Sequence, residues 1–586
     1  MIKFISLFKY TKKYAIYAIL CPLFMIGEAV LELQVPNRIG KVIDYLTECK
    51  DAGISADLNQ IMYLGLIILG FSFLSLIFGI LGGVFASVAA SAFSTNLKRA
   101  IFNNIQTFSF ASIDKYSTSS LITRLTTDTN WVQMSFQLTI RLLFRAPAIF
   151  VYAIIRANQA SPDLSFLFFL AIPIILVGLG IIFAFSHPLF ERGIKKIDVL
   201  NQVVEENVRG IRVIKSFTKE KSEIKKFDNI NDELYRTFKR AHNISNLNNP
   251  LMNLVMFALL LLIAYLGSNL IVSGSLSKGA LFELTTYSTQ ILTSLMMISM
   301  IFVMFLISKP SRDRVYEVLS EVSTIRNPLN PIEEVKDGSI EFINATFKYS
   351  DTSELNVLNN INLKINSGDT IGIIGTTGSS KTTLISLIAR LYDVKSGEVK
   401  VGKENVKDYD LKALRDAVSV VLQNNVLFSG TIKENLRWGN KDATDDEIIL
   451  AAKIAQAHDF IQSFPDGYDT YIEQGGKNVS GGQKQRICIA RALLKNPKIL
   501  ILDDSMSAVD TKTDKLIRMG LKEYRKDITK IIVAQRCQSV MDADKIIIID
   551  SGEIIDSGSH SELLKTSPIY QEIYYSQNKE EVEEDA

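Results

Sequence analysis

The chain has little cysteine and no excess of either charge. Its four cysteines, Cys21, Cys49, Cys488 and Cys537, are scattered along 586 residues. They have neither the spacing of a metal site nor the pattern of a disulfide framework. Lys and Arg number 64 against 62 Asp and Glu, a net charge of +2, which argues against a nucleic-acid-binding surface. A cleavable signal pattern is also missing. The N-terminal "MIKFISLFKYTKKY" is short, basic and amphipathic, and reads as an interfacial helix leading into a membrane span. The pattern of an N-terminal protease-like domain, which would mark a peptide processor, is not seen.

Long apolar runs are abundant, but only in one half. The mean hydropathy of +0.18 averages over a split near residue 310. A span needs about 20 mostly apolar residues. Six runs qualify: 14–36, 60–86, 137–158, 163–186, 248–273 and 279–307. The third is the weakest, since Arg141, Arg145 and Arg156 interrupt it. Residues 87–136 and 187–247 are long, basic and helical in pattern, whereas 159–162 and 274–278 are very short. Basic loops face the cytoplasm, which places both chain ends and the soluble half there and the spans in the cell membrane. The long connections then carry the helices well beyond the bilayer, with tips near 111–120 and 207–216 able to dock on a soluble domain. Glu28, Glu32 and Glu283 are ionisable groups within spans, open to two readings: interhelical pairing or lining of a substrate path. Arg141 and Arg145 share a helix face and read as structural. The Met-rich "SLMMISMIFVMF" reads as packing.

Residues 311–335 form a linker, and from 336 to 575 the pattern becomes a soluble α/β domain. "GDTIGIIGTTGSSKTTLISLIARLY" is strand, glycine loop, helix. In its loop, Gly375, Thr376, Thr377, Gly378, Ser379 and Ser380 precede Lys381, Thr382 and Thr383. Backbone N–H groups at a helix N-terminus cradle phosphates, the lysine reaches the outer phosphates, and the Thr382 hydroxyl serves magnesium. Ser380 stands where the usual loop has glycine, and its Cβ restricts the dihedrals. Tyr349 lies upstream as an aromatic for adenine. Gln423 follows a strand. "NVSGGQKQR" places Ser480, Gly481, Gly482 and Gln483 at a helix start, a second anion-binding end. "ILILDDSMSAVD" is a buried strand ending in Asp503 and Asp504, followed by Asp510. "KIIVAQR" ends at Gln535. The acidic tail, 576–586, reads as solvated.

VSGGQ before a helix, between a phosphate loop and an aspartate-ended strand, resembles the nucleotide-binding domain of ATP-binding-cassette transporters. Six preceding spans with long cytoplasmic loops resemble half-transporters of the multidrug exporter type. The resemblance implies an all-α membrane domain, 1–310, followed by an α/β P-loop domain, with ATP and Mg2+ as cofactors. It implies adenine stacking on Tyr349, phosphates on 375–383, and magnesium held by Thr382, Asp503 and Gln423. Gln423 also senses the γ-phosphate, Ser480 to Gln483 close over ATP on a second subunit, Asp510 crosses the dimer interface, and the two tips are coupling helices.

Two positions depart from that family pattern together. The residue after Asp503 is normally glutamate and here is Asp504, whose carboxylate sits about 1.5 Å further back; misplacement by roughly 1 Å can cost a hundredfold in rate. The switch position is normally histidine and here is Gln535, a neutral amide without a titrating proton. The signature is intact. The chain therefore resembles the degenerate-site subunit of a heterodimeric exporter, its partner carrying Glu and His at the two catalytic positions. Apolar spans imply lipophilic or drug-like substrates. A slow homodimeric exporter of lipid or peptide and a non-transporting ATP-gated regulator are the alternatives.

Overall fold

The computed structural model describes residues 6–350, 355–376, 378–506 and 509–577. Thr377, the Ser507–Ala508 pair and 578–586 of the acidic tail lie outside the described residues. The chain forms two compact units, one of Met1–Gln106 with Thr118–Ser320, the other of Thr107–Ser117 with Glu321–Ala586.

In the first unit, the regular elements among the described residues are all helices. Among the described residues, six helical stretches are long and apolar enough to cross a membrane: Phe8–Asp51, Leu58–Gln106, Thr118–Ala160, Pro162–Arg209, Glu220–Val272 and Lys278–Phe305. The first is two helices, α1 (Ala15–Glu32) and α2 (Gln34–Asp51), meeting at Leu33. Then come α3 (Leu58–Gln106), α4 (Phe110–Lys115), α5 (Thr129–Ala160), α6 (Pro162–Arg209), α7 (Glu220–Ser245), α8 (Asn248–Val272) and α9 (Lys278–Ile307). Local chemistry sets the starts and stops. Ser161 caps α6 by accepting from the Leu164 N–H, and Pro162 occupies the first turn, where no N–H partner is needed. The helices outrun the apolar windows because the apolar count stops at charges while packing continues. In α2, Asn37 donates to Glu283 Oε1 at 3.0 Å, and the Leu33 carbonyl accepts from the Tyr287 hydroxyl at 3.2 Å, so α2 stays against α9.

The second unit carries the sheets. Its strands are β1 (Ile340–Phe347), β2 (Leu358–Ile365), β3 (Thr370–Ile374), β4 (Ser396–Val401), β5 (Glu404–Asn405), β6 (Val418–Val421), β7 (Gly430–Thr431), β8 (Tyr471–Ile472), β9 (Ile499–Asp503), β10 (Thr529–Val533), β11 (Lys545–Asp550) and β12 (Glu553–Gly558). An antiparallel sheet runs β2-β1-β4-β5, and a six-stranded sheet runs β12-β11-β3-β10-β9-β6. Within the latter β11, β3, β10, β9 and β6 are parallel. Strands β9 and β10 are buried at every residue, the pattern of a parallel strand covered on both faces. The element α4 belongs to this unit: Asp114 accepts from the Tyr392 hydroxyl at 2.5 Å, and Glu321 accepts from Lys115 at 2.8 Å.

Candidate nucleotide site and the membrane cavity

The parallel order β3-β10-β9-β6 places four chain segments at one edge. The glycine loop follows β3, Gln535 follows β10, Asp503 ends β9, and Gln423 follows β6. Ligands of open parallel sheets gather at these carboxyl ends. Here they border a cavity of about 300 Å³ lined by Gly378–Thr383, Gln423, Asp503, Asp504 and Gln535.

The loop leads into α10 (Lys381–Ile388), whose residues from Thr383 onward are all buried. Gly375 is required by space: a Cβ there would lie 2.0 Å from the Ile549 carbonyl oxygen, and φ is +159°. Gly378 has φ +86° and open space around it, so backbone can approach a ligand closely. Ser380 adopts the left-handed region, φ 75° and ψ 22°, although it bears a Cβ. Lys381 Nζ donates to the carbonyls of Gly375 and Thr376, both at 2.8 Å, and reaches Ser379 Oγ at 3.2 Å. Thr382 Oγ1 donates to Asp503, 2.9 Å from Oδ2.

Asp504 also has positive φ, 46°. Its Oδ2 accepts from Gln423 Nε2 at 3.2 Å and from Gln535 Nε2 at 3.0 Å. Burial raises the Asp503 carboxyl above its usual value, opposed by the Thr382 bond and reinforced by the charge of Asp504. Burial raises Asp504 as well, against the Gln423 bond and Lys381. Burial lowers Lys381, with both aspartates resisting. Two crowded carboxylates and a threonine hydroxyl are hard oxygen donors, and a divalent cation would relieve their crowding, so these residues fit Mg2+. The lysine and loop N–H groups fit a polyphosphate.

The remaining expected residues lie outside this cavity. Tyr349 is 51% exposed, enough for a ring to stack on it. Its hydroxyl is 2.9 Å from Thr383 Oγ1, and its ring meets the edges of Phe347 and Tyr392. Ser480 caps α11 (Gly481–Leu494) in a reciprocal box: its Oγ accepts from Gln483 N–H, and Gln483 Oε1 accepts from Ser480 N–H. Asp510 caps α12 (Thr511–Glu523), and the Thr513 backbone N–H holds its carboxyl below the usual range. Sequence reasoning missed Gln577. Its Nε2 donates to the Gln535 carbonyl at 2.9 Å and its Oε1 accepts from Cys537 N–H at 2.8 Å, clamping the backbone after β10 from a helix 42 residues away.

The membrane unit holds a larger cavity, about 740 Å³, lined by α1, α2, α3, α5 and α9. Glu28, Glu32, Arg141 and Arg145 border it, while Glu283 does not and accepts from Asn37. Arg145 pairs with both carboxylates, Nε to Glu28 Oε2 at 3.1 Å and Nη2 to Glu32 Oε2 at 3.0 Å.

A helical membrane unit joined to a P-loop unit with a capped SGGQ helix defines a membrane-bound, nucleotide-driven machine. Residues 18–308 match the model of the ABC transporter transmembrane region, and residues 358–507 that of the ABC transporter domain. The chain is 36% identical, over 97% of both proteins, to the uncharacterized ABC transporter ATP-binding protein YfiB of Bacillus subtilis. It is 31% identical to ABC transporter B family member 4 of Dictyostelium discoideum, over 93% of this chain and 70% of that protein. A bacterial Atm1-family ABC exporter with ATP bound shares the fold, with a TM-score of 0.81 at 22% identity, over 97% of this chain and 98% of that one. The chain belongs to the ABC transporters and has the architecture of an exporter half-transporter, with one transmembrane region and one ATP-binding domain.

Proposed function

We propose that this chain is the degenerate-site subunit of a heterodimeric exporter that moves amphipathic or lipophilic compounds out of the cytoplasm. The carrying observation is the joint state of Asp504 and Gln535. A catalytic carboxylate must be free to polarise water. Asp504 is one methylene short and is held by two amides, one of them from the switch residue itself. Gln535 contributes a neutral donor where a cationic one would stabilise developing charge. Nucleotide binding needs neither group, and the gathering of Lys381, Thr382 and Asp503 around one cavity supports it.

In this reading Tyr349 stacks on adenine, the loop of 375–383 holds the phosphates, and Thr382, Gln423 and Asp503 hold Mg2+. The metal would screen the phosphate charge. Ser480 to Gln483 complete the competent site on the partner, whose own phosphate loop carries Glu and His neighbours. Closure of the two ATP-binding domains drives alternating access of the spans. The exposed tip at Ile211–Ser216, with Val213 60% and the adjoining Phe217 70% exposed, supports docking against a second subunit.

The test is the subunit composition of the complex. The tagged chain, purified from its host membrane in mild detergent, is expected to give an intact mass of one copy plus one similar-sized partner. A pure homodimer would place Asp504 and Gln535 in both sites and remove the reading.

A further inference from the structure

The membrane cavity has one feature its ion pairs leave unused. Glu28 and Glu32, one turn apart, both form ion pairs with Arg145. Gln290 Nε2 adds a contact to Glu32 Oε1 at 3.4 Å. Arg141 lies one turn before Arg145 on the same face of α5 and lines the same cavity. It is exposed, and among the described residues it makes no hydrogen bond and no ion pair at contact distance, although its charge acts on Glu28. A guanidinium within a span whose N–H donors meet no acceptor is costly and marks a functional position. The walls around it are amphipathic: Leu76, Ile80 and Phe282 are apolar, and Ser72, Ser75 and Thr286 carry hydroxyls. The volume lies in the range of about 300–1,000 Å³ typical of small-molecule sites.

We infer that this cavity takes an amphiphile bearing one anionic group, a carboxylate, phosphate or sulfonate, anchored by Arg141. Two parallel N–H donors of a guanidinium match such a group. The inference rests on the exporter reading and narrows it, since a purely lipophilic compound leaves Arg141 unmet. A cationic substrate is disfavoured because the two negative charges of Glu28 and Glu32 are already balanced by Arg145 and Arg141, whereas the N–H donors of Arg141 remain free for an anion. The anionic group can belong to a soluble compound or to a lipid headgroup.

The test uses the full chain, with whatever subunit it carries, in phosphatidylcholine nanodiscs. Three matched probes are titrated by fluorescence: dansyl-6-aminohexanoic acid, its methyl ester, and dansyl-1,6-diaminohexane. The acid is expected to bind at least about tenfold tighter than the ester, the scale of one hydrogen bond to a charged group. Arg141→Ala should erase that preference, and Arg141→Lys should keep part of it. If Arg141→Ala fails to assemble, the acid-to-ester ratio of the native chain decides alone. Equal binding of acid and ester, tighter binding of the amine, or no saturable binding of the acid overturns the inference. ATP-dependent vesicle uptake of the ester without the acid would do the same while leaving the exporter reading standing. Displacement of the acid by phosphatidylglycerol in the disc would identify the anion source as lipid, and its absence as solute; either outcome, with the acid preference present, supports the Arg141 anchor.

Discussion

At the residue scale, Ser380 and Asp504 share a backbone oddity as well as a chemical one. Both have positive φ, 75° and 46°. A left-handed conformation costs a non-glycine residue about 1–2 kcal/mol, less for Asp, whose short polar side chain tolerates it. Ser380 caps α10 without a side-chain hydrogen bond, so nothing there offsets the strain. Ser380→Gly should therefore raise unfolding stability by about 1 kcal/mol, after the extra chain entropy of glycine is subtracted. Denaturant unfolding of the full chain measures it, and a loss of stability would mean the loop is held by contacts other than its own backbone. ATP affinity should change little, because Lys381 and Thr382 are untouched. The cost of a Cβ at position 380 was legible in the sequence from the departure alone. The amide bonds from Gln423 and Gln535 to Asp504 were not, because they depend on the strand order β10-β9-β6, which no local pattern encodes. Gln577 was invisible for the same reason: a lone glutamine in a C-terminal helix carries no signal until the fold brings it to Cys537.

At the element scale, the SGGQ segment has two duties that mutation can separate. It starts α11, where Ser480 and Gln483 satisfy each other's backbone N–H groups. It is also the segment proposed to close over ATP on the partner. Ser480→Ala removes the cap and should cost about 1 kcal/mol. Ser480→Asn keeps a good cap, so stability should stay within a few tenths of a kcal/mol, while the altered side chain at the phosphates should lower ATPase of the assembled complex at least tenfold. Melting temperature and turnover, measured on both variants, give the answer. Full turnover in Ser480→Asn would show that the hydroxyl matters only as a cap. The spans were legible as apolar runs, yet their ends were not. The 14–36 window stops where polar residues begin, whereas α2 runs on to Asp51, held by the Asn37–Glu283 bond. The tip near 111–120 falls partly in α4, which clusters with the soluble unit through Tyr392 and Glu321. An aromatic at 392 had no special mark in the sequence.

At the scale of the whole molecule, the proposal divides labour between two composite nucleotide sites. One joins this chain's Lys381, Asp503 and Asp504 to a partner's signature. The other joins a partner's phosphate loop to Ser480, Gly481, Gly482 and Gln483. On that proposal binding chemistry is complete at both, and water activation is impaired at the first. A carboxylate misplaced by roughly 1 Å costs about a hundredfold in rate, and the neutral switch amide adds to that. The purified complex, given labelled ATP and magnesium and passed rapidly through a desalting column, should retain one nucleotide as ATP while the other is recovered as ADP. Asp504→Glu and Gln535→His act on the same site through one hydrogen bond, so they should be non-additive. Each alone should shift the retained ATP little, because Asp504→Glu leaves a neutral switch and Gln535→His faces a short carboxylate. The pair together should convert it to ADP. If the unaltered complex already recovers both nucleotides as ADP, Asp504 is competent as it stands, and the division of labour between the two sites does not exist.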